Sequence, residues 1–311
     1  MQIIEGGGEL PAALRGGALA LGNFDGVHLG HQAVIGAALT HARASGLPGL
    51  VATFEPHPSR HFRPDSPPFA ITTLSQKLRL VDGLGADGVI VIPFDSALAG
   101  LSAEQFAADW LARRLGVAHV VTGHDFTFGR GRSGSAEQLP ILGRLHGFTA
   151  EAVAPVADSR GVVSSTRVRS ALEAGDMALA TALLGRPFAI EMPVVHGDKR
   201  GRTIGVPTAN QLLGPYQRPR YGVYASRVRL PGGDCRPAVS NLGVRPMFDP
   251  PRELLETWIP DWKGDLYGEI ITVELIGWLR AELALDGLEA LKAQIGRDWD
   301  DARALLGAGD D

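Results

Sequence analysis

Residues 18–32 read Ala18-Leu19-Ala20-Leu21-Gly22-Asn23-Phe24-Asp25-Gly26-Val27-His28-Leu29-Gly30-His31-Gln32. The stretch runs from a short apolar segment through a glycine-bounded turn to two histidines at the opening of a helical pattern. Four consecutive apolar residues suit a strand buried on both faces of a parallel sheet. From His31 to Arg43 the apolar residues Val34, Ile35, Ala38 and Leu39 recur at helical spacing. Helix N-termini leave N–H groups unpaired and carry partial positive charge, so a strand-turn-helix junction of this kind favours phosphate. The dipole contributes only about 0.3–1 kcal/mol, so further donors are needed, and His28 and His31 stand where they would supply them. Two histidines at this spacing also suit a zinc pair or two structural side chains. No cysteine and no His-Glu-x-x-His glutamate accompanies them, which weakens the metal reading.

Outward from this stretch the alternation continues. Residues 49–54, 88–94, 119–123 and 150–156 read as strands, and 74–84, 102–115, 136–146 and 165–184 as helices. Such alternation predicts a doubly wound parallel sheet with its ligands at the carboxyl ends of the strands. One rim then carries Asn23–His31, Glu55–Pro58 and His124–Ser133. After Gly185-Arg186-Pro187 the pattern becomes all-β, with strand-like runs at 188–195, 221–230, 236–242, 253–259 and 269–279 between glycine and proline turns. A small barrel is expected there. A last helix is expected to start at a capping Asp286, with Glu289 as its capping-box partner. Leu288, Leu291, Ile295, Trp299 and Ala302 would form its apolar face. The fold class is therefore α/β plus all-β, with domains at 1–185 and 186–311.

Composition bounds the function. The 311 residues suffice for two domains, and a net charge of -4 excludes the strong basic excess of a nucleic-acid binder. One cysteine, Cys235, excludes an intramolecular disulfide framework and a thiolate metal cage, and fits a reducing compartment. The N-terminus lacks a basic region followed by an apolar run, and no segment approaches the roughly 18 apolar residues of a membrane span. A cytoplasmic protein is expected, a monomer or weak oligomer acting on small molecules, with neither nucleic acid nor membrane as partner.

Several motifs carry chemistry. In Glu55-Pro56-His57-Pro58 two prolines stiffen the loop around His57, aiming the imidazole or merely ending a strand. In Asp125-Phe126-Thr127-Phe128, Phe126 and Phe128 suit a pocket for a planar ring. Arg130 and Arg132 follow on a glycine-rich loop, to meet phosphate or solvent. Ser164, Ser165 and Thr166 open a helix with Arg167 and Arg169 just inside, which is either a second anion site or an ordinary cap. No Gly-x-x-x-x-Gly-Lys-[Ser/Thr] sequence exists, so nucleotide binding must run through these elements. Beyond residue 186, Gly197, Lys199, Gly201, Arg202, Thr203 and Gly205 form a basic, glycine-rich loop. Thr208 and Asn210 either offer the hard oxygens that Mg2+ prefers or form a plain polar turn. Glu256 lies in an apolar strand, either as a base or facing solvent on the alternating side.

Taken in order, these motifs resemble those of the bacterial bifunctional riboflavin kinase/FMN adenylyltransferase family. Residues 22–31, 53–58, 123–129 and 164–169 resemble its adenylyltransferase motifs, and 196–210, 221–225, 240–243, 254–256 and 264–268 its kinase motifs. The resemblance implies a Rossmann-like nucleotidyltransferase domain followed by a six-stranded antiparallel barrel, and two ATP-dependent reactions. In the barrel a ribityl hydroxyl of riboflavin attacks the ATP γ-phosphorus, with Glu256 as base, Thr208 and Asn210 on Mg2+, and Gly197–Gly205 on ATP. In the first domain the FMN phosphate attacks the ATP α-phosphorus, giving FAD and pyrophosphate. His28 and His31 serve there, with Gly22, Asn23, Phe24, Asp25, Ser164, Ser165, Thr166 and Arg169 on ATP. His57, Pro58, Asp125, Phe126 and Phe128 hold the flavin.

Three departures bear on this resemblance: Met247 stands where the family usually has threonine, Trp258 where it has histidine, and Lys199 where glycine is common. Met247 and Trp258 keep open a monofunctional FMN adenylyltransferase whose barrel binds flavin without phosphorylating it. A cytidylyltransferase would share the histidine motif but neither residues 53–58 nor the second domain. A flavin sensor would have no need of the histidines, Glu256 or the Thr208/Asn210 pair.

Overall fold

Six parallel strands form the first sheet: β1 (Gln2–Glu5), β2 (Ala18–Leu21), β3 (Gly49–Glu55), β4 (Gly88–Pro93), β5 (His119–Gly123) and β6 (Thr149–Val153). Their order across the sheet is β1-β4-β3-β2-β5-β6. β2 is buried throughout, as its unbroken apolar run requires. Its alternate residues feed two cores. Leu19 and Leu21 join Leu50, Phe106, Trp110 and Phe128 on one face, while Ala20 joins Val51, Val121, Ile35 and Leu39 on the other. The strand order reverses between β2 and β5, and the carboxyl ends there are where a doubly wound sheet receives its ligand. β1 is an edge strand absent from the sequence reading, because four residues at the terminus give too short a pattern.

The computed structural model describes residues 1–6, 8–197, 205–245 and 252–307. It divides into two compact units, Met1–Pro67 with Leu74–Ser164, and Pro68–Thr73 with Ser165–Asp311. The second unit thus includes two helices that the sequence pattern assigns to the first domain. The segment 165–184 is not one helix, as expected, but two: α1 here spans Leu29–Ser45, α2 Leu74–Gly83, α3 Leu139–His146, α4 Ser165–Ala174 and α5 Met177–Leu184. The break falls at Gly175, whose φ of 76° is left-handed, and Asp176 caps α5 through the Leu179 N–H. Within the first unit the expected helix 102–115 opens on a Ser102–Gln105 capping box and is π-helical over Phe106–Arg114.

The barrel closes as β7-β8-β11-β10-β9-β12, from β7 (Phe188–Val195), β8 (Thr208–Leu212), β9 (Gly222–Arg229), β10 (Cys235–Arg245), β11 (Arg252–Trp258) and β12 (Ile270–Arg280), with every pairing antiparallel. β8 removes the alternative of a polar turn at Thr208 and Asn210, which lie in a strand. Its polar side chains hid the alternation, because one of them, Gln211, is buried by donating to the Met192 and Ile271 carbonyls. The final helix, α6 (Leu288–Leu306), also departs from expectation. Gly287 at φ 88° is its N-cap, without a side-chain cap, so Asp286 and Glu289 form no capping box. Leu288 and Leu291 are exposed, and the buried face begins only at Asp298 and Ala302.

Candidate active sites

The turn after β2 is wound left-handed at three of four residues, with φ 49° at Phe24, 87° at Gly26 and 42° at Val27. For a β-branched residue this conformation is strained, at roughly 1–3 kcal/mol. Hydrogen bonds hold it in place: Val27 N–H donates to the Phe24 carbonyl at 3.1 Å, and Gln32 Nε2 to the Val27 carbonyl at 2.9 Å. The turn delivers His28 to the N-cap of α1, whose first residue, Leu29, lies two residues ahead of where the sequence pattern starts the helix. There the His28 Nδ1 accepts the His31 N–H at 3.3 Å. That bond places the proton of the neutral imidazole on Nε2. The two rings stack with centroids 3.6 Å apart, and the edge of His31 meets Phe24 at 5.3 Å. Phe24, Asp25 and His28 are buried, whereas Gly30 lies within the first turn where a Cβ would press on the His28 ring. Among the described residues no group of three or more histidines, cysteines, aspartates or glutamates is placed to hold a metal ion.

His57 repeats the device. It caps the five-residue helix Pro58–Phe62, its Nδ1 accepting the Ser59 N–H at 3.1 Å, with Pro58 in the first turn. After β5, Asp125 is exposed and Phe126 half-buried. Phe126 stacks on Phe128 at 5.7 Å, and Phe128 itself packs into the core beside Phe106. Of the two rings, Phe126 is therefore the one with a face outside the core. Arg130 and Arg132 lie exposed in a 3-10 turn between two short paired strands, Thr127–Phe128 and Gly134–Ser135. Ser164 ends the first unit, while Ser165, Thr166 and Arg169 open α4 in the second. Arg169 Nε donates to the Phe69 carbonyl at 2.8 Å and its guanidinium lies 5.3 Å from the Phe69 ring.

In the barrel, strand register decides what spacing left open. Asn210 of β8 pairs with Glu256 of β11, which pairs in turn with Asn241 of β10. Directly opposed residues share a face, so Asn210, Glu256 and Asn241 form one cross-strand row, with Thr208 two residues along. The neighbouring row, Gln211, Leu255 and Leu242, is fully buried inside the barrel, which puts Glu256 on the outer face. Asn210 Nδ2 donates to the Thr208 carbonyl at 3.4 Å, and its Oδ1, buried, has no hydrogen-bond partner among the described residues. A Cβ on Gly197 would lie 2.5 Å from that amide, so any larger residue there must displace the Asn210 side chain. Beside this row a cavity of about 510 Å³ is lined by Val194, Pro207, Thr208, Trp262, Asp265 and Tyr267. The His196 and Tyr267 rings lie 3.9 Å apart. Tyr267 belongs to the 264–268 motif, whereas Trp262 just before it carries no sequence signal, because an aromatic residue in a loop has no periodicity. Gly205 is described, at φ 80°. Lys199, Gly201, Arg202 and Thr203 of the basic loop, and Met247, lie outside the described residues.

A family model described as FAD synthetase matches residues 10–167, and one described as riboflavin kinase matches residues 184–306. The chain belongs to the bifunctional riboflavin kinase/FMN adenylyltransferase family. Proteins of that name from Escherichia coli K12 and Pseudomonas fluorescens are each 41% identical to it, over 99% and 98% of this chain respectively and 98% of their own. That from Bacillus subtilis is 39% identical over 91% of this chain and 90% of its own. A solved structure from Streptococcus pneumoniae, named a macrolide-efflux protein, is similar to 97% of this chain and 99% of its own, with a TM-score of 0.88 at 31% identity. Among the described residues no helix is long and apolar enough to cross a membrane. The Rossmann-like sheet, the six-stranded barrel and the C-terminal helix follow the family's layout in order. Trp258, a departure from the family pattern, packs edge-on against Trp299 of α6 at 5.9 Å, so its bulk is taken up by the helix.

Proposed function

We propose that this chain makes FAD from riboflavin in two ATP-dependent steps, adenylyl transfer in residues 1–185 and riboflavin phosphorylation in 186–311. Both family models on one chain, in order and at full-length similarity, carry the bifunctional reading. The single geometric observation behind the kinase half is the row Asn210–Glu256–Asn241 with its unpartnered Asn210 oxygen. In that half the riboflavin hydroxyl forms a bond to the γ-phosphorus, ADP leaves, and Glu256 takes the hydroxyl proton. A buried amide oxygen without a partner suits a hard cation. Thr208 and Asn210 would hold Mg2+, which neutralises charge on the phosphates. Gly197–Gly205 would cover ATP. A degenerate kinase half is not favoured, because Glu256, Thr208 and Asn210 are all retained.

In the adenylyltransferase half an FMN phosphate oxygen forms a bond to the α-phosphorus and pyrophosphate leaves. That nucleophile is already ionised, so the site's task is to position it and neutralise charge. The Nε2–H groups of His28 and His31 would meet the α-phosphate at the start of α1. Gly22, Asn23, Phe24, Asp25, Ser164, Ser165, Thr166 and Arg169 are assigned to ATP by their motifs, and His57, Pro58, Asp125, Phe126 and Phe128 to the flavin. A cytoplasmic location and a monomer or weak oligomer fit this role. Incubation with ATP and Mg2+, first with riboflavin and then with FMN, tests the whole reading. FAD from both supports it, and FAD from FMN alone leaves a monofunctional adenylyltransferase.

A further inference from the structure

Lys77, in the first turn of α2, is 4% exposed, which is rare for a lysine. Its ammonium donates to the main-chain carbonyl of Asn23 and to the Thr53 hydroxyl, both at 3.0 Å. The Thr53 hydroxyl donates to the same carbonyl at 2.9 Å. Donors from α2 and β3 therefore converge on one acceptor in the turn that leaves β2. Burial holds the amine below the ordinary lysine range, and the charges of Asp25 and Glu55 only partly oppose this. An apolar side chain would fill the same space without that desolvation cost, so packing alone does not account for a lysine here.

The position of the carbonyl supplies the reason. Asn23 immediately precedes Phe24, where the left-handed segment begins, and the segment ends at Val27, against the His28 cap. Strained turns persist only where their surroundings over-determine them. We infer that Lys77 is a positioning residue for adenylyl transfer. With Thr53 it pins the Asn23 carbonyl, and through the turn it fixes the His28 and His31 imidazoles against the α-phosphate. The inference rests on the adenylyltransferase reading above.

Steady-state FMN adenylylation by the full-length chain tests it, with Lys77→Met, Lys77→Arg, Thr53→Val and the Lys77→Met/Thr53→Val double variant. Misplacing a reacting group by about 1 Å costs on the order of 100-fold. Lys77→Met should accordingly lower kcat about 10- to 100-fold, with KM for ATP changed by less than about threefold. Lys77→Arg should restore part of the loss, since it keeps both charge and donors. Thr53→Val should lose a few-fold, and the double variant less than the product of the two, because both act on one carbonyl. Riboflavin phosphorylation in the same samples, which should not change, reports the folded enzyme concentration. Wild-type kcat in Lys77→Met would overturn the inference, as would equal losses in both activities tracking the folded fraction. Where Lys77→Met does not fold, an unchanged kcat in Thr53→Val overturns it instead. A wild-type chain that makes no FAD from FMN is a failure of the adenylyltransferase reading, distinguishable from either.

Discussion

His28 accepts the main-chain N–H of His31 at 3.3 Å while the two rings stack 3.6 Å apart, so one imidazole both caps α1 and braces the other. The cap consumes His28 Nδ1 and leaves the proton of its neutral ring on Nε2, so the helix end presents a directed imidazole donor.

His28→Ala should therefore lower FMN adenylylation about 100- to 1,000-fold, by analogy with other preorganised donors, and leave riboflavin phosphorylation intact. His28→Asn separates the two duties. Its side-chain oxygen keeps the cap, worth about 0.5–2 kcal/mol, so thermal stability should hold while activity does not return. Recovery of full adenylylation in His28→Asn would remove the imidazole from the mechanism.

Glu256→Gln keeps the shape of the cross-strand row but cannot take a proton. Product analysis should show riboflavin phosphorylation reduced roughly 100- to 10,000-fold, with FMN still converted to FAD. Normal FMN formation by this variant would assign the base to another residue.

Gly197→Ala drives a Cβ to within 2.5 Å of the Asn210 amide, which must shift. The kinase reaction should then need more Mg2+ for half-maximal rate, and Asn210→Ala should behave alike. Removal of divalent cations by a chelator should stop the reaction in the wild type. A magnesium titration curve unchanged in both variants contradicts the proposed ligand pair.

Asp298 on α6 is 3% exposed and meets Arg280 of β12, with Nε to Oδ1 at 2.6 Å and Gln294 Nε2 on the same oxygen at 2.8 Å. Asp298→Ala leaves the Arg280 side chain, 23% exposed, without its carboxylate, at about 1.5–3 kcal/mol. Denaturant melts of Asp298→Ala should show that loss, and Arg280→Met/Asp298→Leu a smaller one.

His119 gives stability a pH dependence. Burial holds its imidazole below the ordinary value, the His41 ring stacked at 3.7 Å adds repulsion, and Glu151 at 3.6 Å only partly compensates. The unfolded chain takes up this proton near pH 6.5 and the native state only at lower pH. The contribution is thus complete above about pH 6.5 and is lost as pH falls through the native value. Melting temperatures from pH 7.5 down to 5 should fall, less steeply in His119→Gln. Identical slopes would show that other groups dominate this range.

The first unit was largely legible because its signals are local. β2 is apolar without interruption, α1 has helical spacing, and the turn between them is written in glycine and histidine. Where local signals conflict, tertiary context decided: Gly175 and Asp176 cut one apparent helix in two, and Gly287 took the cap from Asp286. In the barrel, polar Thr208 and Asn210 leave a turn open as an alternative, and the strand is decided only where Gln211 finds its two carbonyls inside.

By itself the sequence determined the α/β-then-barrel order and which residue types stand at each motif, since hydrophobic period and side-chain chemistry are properties of neighbours along the chain. Only the tertiary structure decided which face Glu256 takes, that Asn210 and Asn241 flank it, and that Lys77 reaches Asn23 and Thr53. Strand register and burial join residues far apart in sequence, and no local pattern encodes such pairings.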